Sequence, residues 1–172
     1  MRPFSRSIMV AFLAVGFALL LVCSSSQPPV SAAASSPAAP PAGWKTVMND
    51  SKTCKLSLPP AWVQPDSGGM YGRMEKGEMA MFAEDEETQK AGNWAPVHRE
   101  IEKKKAAGAK VEILEESPQH IIFQMPQGSV LAVMAFRRTP KTLCVVQIGV
   151  PAGDPASQKI ALQIARSLSP AH

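Results

Sequence analysis

Four methionines, Met70, Met74, Met79 and Met81, crowd into one short stretch of the chain. Thioethers are soft ligands that select Cu(I), so a cluster of them is a candidate copper site. If the stretch is a hairpin, Met70 and Met74 share one strand face, as do Met79 and Met81, and the two pairs come close. Methionine is also an ordinary filler of apolar gaps. Ala80 and Phe82 make the hairpin apolar on both sides, so packing is the leading reading and copper handling the alternative.

Cys54 and Cys144 are the next residues with chemistry. Strand parity puts Cys54 on the side of Leu56 and Leu58, and Cys144 on the side of Val146 and Ile148. Both therefore face inward, and in an oxidising compartment a disulfide between them is expected. Their distance in sequence excludes a Cys-x-x-Cys redox centre and a clustered zinc site. His98 and Glu102, four apart on a predicted helix, supply half of a metal site at most, and a solvated ion pair is the simpler reading. His120 and His172 add no spacing that completes it. The acidic run Glu84, Asp85, Glu86 and Glu87 lacks the alternating ligands and central glycine of a calcium loop, and reads as a solvated loop or a helix's first turn. Lys103, Lys104 and Lys105 close a helix, where cations complement the dipole. No nucleophile elbow, phosphate-binding glycine loop or zinc-helix motif is present. The expectation is a non-enzyme without cofactors.

The chain's N-terminal end sets the compartment. Arg2 and Arg6 precede an uncharged apolar run over 7–22, which is the pattern of an export signal and is too short for a permanent span. Cys23 follows at once, where lipoprotein signals place the lipid-modified cysteine, although Val22 stands where a small residue is usual. Cleavage near Ser24 or within 31–34 is the competing reading. Residues 24–42 contain only Ser, Gln, Pro, Val and Ala, a composition that cannot bury enough surface to order itself, and they read as a semi-rigid tether. The organisation expected is a signal over 1–22, a tether over 23–42 and a folded domain over 43–172. Removing the two signal arginines lowers the formal charge of +4 to +2. That is no electrostatic footprint for nucleic acid.

The elements that must position these residues are mostly strands. Alternation between turn signals predicts strands over 44–48, 53–58, 70–75, 78–83, 110–116, 120–125, 130–137 and 143–150. The nearly unbroken apolar run from Val130 marks a central strand covered on both faces. A middle helix over 94–107 carries Trp94, Val97 and Ile101 on a narrow stripe and is expected to cover a sheet edge. A last helix starts at Asp154-Pro155 and presents Ile160, Ala161, Ile164, Ala165 and Leu168. The class is α+β, an antiparallel sheet packed with two helices.

"TCKLSLPPAWV" at 53–63 and "IALQIARSL" at 160–168, with the order of elements, resemble the PsbP-like fold, shared by photosystem II extrinsic subunits, DcrB-type periplasmic proteins and LpqN-type lipoproteins. The resemblance implies an antiparallel α+β domain that binds or assists assembly, without shared catalytic residues. The expected partner is another envelope protein or a small ligand, with a membrane reached only through a lipid on Cys23. Trp44, Trp62 and Trp94 are candidates for a docking face, Trp62 being the one expected in the core.

Overall fold

The computed structural model describes residues 39–64 and 69–171. The expected export signal, Cys23, most of the expected tether and His172 lie outside the described residues. Among the described residues no helix is long and apolar enough to cross a membrane.

The chain runs through β1 (Lys45–Met48), β2 (Cys54–Leu58), β3 (Met70–Arg73), a 3-10 turn (Met74–Lys76), β4 (Glu78–Ala83), α1 (Glu86–Ala91) and α2 (Ala95–Ala106). It continues through β5 (Glu112–Glu116), β6 (His120–Gln127), β7 (Val130–Arg138), β8 (Leu143–Pro151), α3 (Pro155–Ser167) and β9 (Ser169–Pro170). The α+β class holds, with the antiparallel strands divided between two sheets. One has the order β1-β2-β9 and the other β3-β4-β8-β7-β6-β5.

The six-stranded sheet has two unlike faces. Its inner face carries Tyr71, Ala80, Ile122, Leu131, Val133, Ala135, Cys144, Val146, Ile148 and Val150, packed against β2 and α3. Cys54 on β2 and Cys144 on β8 are bonded, with Cα atoms 5.6 Å apart, so the disulfide joins the two sheets across this core. α3 is capped as its sequence dictates: the Asp154 carboxylate accepts from the Ala156 amide at 3.0 Å, and Pro155 occupies the first turn. Ala161, Ile164 and Ala165 make its buried stripe.

Two buried titratable side chains lock the edges of the inner face. Glu78, 1% exposed, accepts from Arg73 Nε and Nη2, at 2.5 and 2.6 Å, and from the Ser157 hydroxyl of α3 at 2.5 Å. Burial pushes its carboxyl up, but the hydrogen bonds from Arg73 and Ser157 and the Arg73 charge outweigh this and hold it below the ordinary glutamate value. Gly72 permits the close β3–β4 approach, because a Cβ there would stand 2.1 Å from the Glu78 carbonyl oxygen. At the opposite edge His120 is buried, with Nε2 3.5 Å from Glu115, which also accepts from Arg166 at 2.5 Å. Burial and the neighbouring Arg137 cation push His120 below the usual histidine value, against an opposing pull from Glu115.

Several expectations change. β3 ends at Arg73, so Met74 leaves the strand and shares no face with Met70. α1 was not anticipated as a separate helix: Asp85 caps it by accepting from Thr88, and Glu86 and Glu87 fill its first turn. The middle helix reaches the β5 edge, where His98 Nε2 lies 2.9 Å from Glu116 and Ile113 packs against the helix cluster, but it also extends inward over the sheet. Val97 and Ile101 of α2 pack with Trp94 on Ile121, Phe123, Phe136 and Val145 of β6, β7 and β8, the interior strands of the sheet.

Candidate functional site

The outer face of the six-stranded sheet can be read row by row from its register. Ile121, Phe136, Val145 and Ala83 form a first row beneath α2. Phe123, Met134, Gln147, Met81 and Met70 form the next, followed by Met125, Ala132, Gly149, Met79 and Gly72. α2 is too short and too polar along its other sides to cover all three. Its apolar stripe ends at Ile101, and the following turn is Lys103, Lys104 and Lys105.

The N-terminal end of α2 is fixed by contacts distant in sequence. The Trp94 indole N–H donates to the Ser117 carbonyl at 2.7 Å. Its ring meets Phe136 edge-on at 6.4 Å, and the Arg138 guanidinium lies 5.4 Å from the ring centre. Phe136 in turn stacks on Phe123 at 6.0 Å. With one end of the helix pinned, the space beside it stays open as a groove of about 430 Å³.

The groove has an apolar floor and a polar rim. Phe123, Phe136, Met125 and Met134 line the floor, with Pro96 and Val97 forming the helix wall. The rim charges are paired with each other: Arg99 bonds Glu87, and Lys104 lies 3.4 Å from Glu100. Asp85, also on the rim, is engaged by Thr88 as the cap of α1. The Gln127 and Gln147 side chains are exposed at the rim. Such a site combines apolar contact with a few amide hydrogen bonds, within the size range of ligand pockets.

Two smaller concavities, of about 320 and 350 Å³, share Asn49, Ser51, Phe82, Ala83 and Glu84 near the disulfide. Asn49 is occupied there by the β1–β2 turn, its Oδ1 accepting from the Thr53 and Cys54 amides. Their linings mix polar and apolar groups, and Asn49, Ser51 and Thr53 among them already serve the turn.

The residues singled out from sequence are placed as follows. Met70, Met79 and Met81 gather on the outer face, where Met125 and Met134 join them and Met74 does not. His98 does not pair with Glu102. Its Nε2 lies 2.9 Å from Glu116 on β5, while Glu102 accepts from Lys105. Among the described residues no group of three or more His, Cys, Asp or Glu is arranged to hold a metal. Trp62 is fully buried in the inner core, its indole N–H without a partner. Trp44 packs partly buried against the same core and Trp94 is buried beneath α2, so the tryptophans do not form a docking face.

Sequence reasoning missed Ser117, His120 and Glu115, which are in line: the Ser117 hydroxyl lies 2.8 Å from His120 Nδ1, and Nε2 faces Glu115. This resembles a nucleophile, base and carboxylate in outline only. The Ser117 oxygen accepts from the amides of Gln119 and His120, at 3.2 and 3.1 Å. It is tied into the β5–β6 turn and lines none of the three concavities.

No protein-family model matches the chain, and no curated protein sequence matches it. Among solved structures, it is similar to the solution structure of cyanobacterial PsbP (CyanoP) from Synechocystis sp. PCC 6803. The TM-score is 0.46 at 13% identity, covering 75% of this chain and 93% of that one. The likeness to a PsbP protein is one of overall fold, and the DcrB-type and LpqN-type resemblance rests on the short sequence motifs alone.

Proposed function

We propose that this chain is an exported envelope protein, tethered by a lipid on Cys23, that binds another envelope component through the α2 groove without catalysing a reaction. One observation carries the reading: an open groove with an aromatic and thioether floor whose rim charges are already paired. A surface of that kind accepts apolar groups without leaving a buried charge unpaired. The tether supports it, since a spacer after Cys23 lets a docking domain reach partners at the membrane surface. The absence of a catalytic step is supported by the Ser117 hydroxyl, the best-placed nucleophile, being held as an acceptor in a turn.

The test uses the full chain in its own envelope, with a photo-crosslinking residue at Gln147 on the groove rim or at Lys159 on the exposed side of α3. A discrete adduct from position 147 and none from 159 is the expected result. Equal adducts from both positions, or none from either, would remove the groove reading. Palmitate labelling that persists in Cys23→Ala, or is missing from the wild type, would remove the lipid anchor.

A further inference from the structure

The methionines on the strands of the six-stranded sheet are sorted by face. The buried inner face of the six-stranded sheet is built from aliphatic, aromatic and cysteine side chains, with no methionine in that cluster. Five methionines lie on the outer face, and three of them, Met70, Met79 and Met81, are at its β3–β4 edge. Met125 is buried as packing requires, but Met70 and Met81 are only half-buried and Met79 is 37% exposed. Gap filling does not account for thioethers left at the surface.

Their register brings them together. Met70 stands directly opposite Met81 across the β3–β4 pair, and Met79 follows Met81 on the same face two residues along. Opposed side chains have Cβ atoms about 5 Å apart, and same-face neighbours along a strand are about 7 Å apart, so three flexible arms can meet above one point. Met79 has room to move because its cross-strand neighbours on both sides are glycines, Gly72 and Gly149. A Cβ on Gly149 would stand 3.3 Å from the Met79 Cγ, close enough to restrict that arm.

We propose that Met70, Met79 and Met81 form a thioether site for one soft monovalent cation, Cu(I), at the β3–β4 edge. The ligand chemistry selects the ion. Neutral sulfur donors cannot offset a divalent charge, and hard cations require oxygen ligands. None of the three residues lines the α2 groove, so this site stands or falls independently of the proposed docking function.

The experiment is an anaerobic Cu(I) titration of the full chain against a chromophoric chelator, repeated with Ag(I) while the methionine methyl resonances are followed. Cys23→Ser is the background, because with Cys54 and Cys144 bonded it removes the last thiol. One equivalent should bind with a dissociation constant below about 1 µM, weakened about tenfold or more by Met79→Leu. The methyl signals of Met70, Met79 and Met81 should shift while that of Met48 stays in place. Met79→Leu keeps the apolar bulk of an exposed residue, so its loss of affinity reports the sulfur rather than the fold. Weaker binding by the parent, unchanged affinity in Met79→Leu, or an equal loss in Met74→Leu would overturn the site.

Discussion

The two faces of the six-stranded sheet are made by the same strands yet are built for different ends. The inner face is sealed: branched aliphatic side chains interdigitate with β2 and α3, a disulfide crosses the layer, and buried Glu78 and His120 close its two edges. On the outer face, α2 seals one row and Phe123 of the next, and the positions beyond are methionine, glutamine, glycine and alanine. Rigid β-branched residues specify one packing, whereas unbranched thioethers accommodate several. Stability is thus concentrated on one face, and the other is less tightly specified.

The largest expected effect on that contrast comes from the disulfide. Closing a loop with a sequence separation of 90 stabilises by about 4 to 5 kcal/mol in the chain-entropy model. The Cys54→Ala, Cys144→Ala double variant should lose stability of that order in urea unfolding of the full chain. A loss below about 1 kcal/mol would mean that the inner face holds together without its staple. Next in size is a matched pair of truncations. Ile148→Ala, at a fully buried inner position, should cost about 2 to 5 kcal/mol. Met79→Ala, on the open face, should cost about 0.5 kcal/mol. Equal costs would abolish the distinction between the faces.

How much of this was legible follows from which interactions are local. A period of two is local, so parity alone oriented Cys54 and Cys144 correctly, and the unbroken apolar run from Val130 identified β7 as a strand covered on both sides. Asp154-Pro155 announced α3 because a cap and its amides are neighbours in sequence. The end of β3 was not legible. The Arg73–Glu78 pair closes the hairpin with a 3-10 turn and Gly77 in the left-handed region, at φ 67°. That turn takes Met74 out of the strand, and its cause is a side-chain contact. α1, six residues long, is too short to show a helical period. The reach of α2 over the interior strands was not legible because Trp94 is anchored by Ser117, Phe136 and Arg138, all distant in sequence. The groove is a consequence of that anchoring, so sequence patterning held no trace of it. His120 was passed over although Ser117 and Glu115 are near it in sequence, because its burial and the nearby Arg137 come from the packing of β7 and α3.

The smallest effect expected is a pH dependence that belongs to the inner face alone. His120 has a folded value depressed below the ordinary 6.5. Between those two values the unfolded chain binds more protons, so this contribution is complete above about pH 6.5 and is lost as pH falls toward the folded value. Glu78 follows the same sign lower on the scale, its contribution being present above the ordinary 4.5 and lost as pH falls through its depressed folded value. Urea midpoints of the full chain should therefore decline in two stages on acidification. His120→Gln should flatten the first stage and leave the second, whatever it does to the midpoint at neutral pH. If the first stage persists in His120→Gln, the proton enters elsewhere. The assignment of acid sensitivity to the sealed face would then fail.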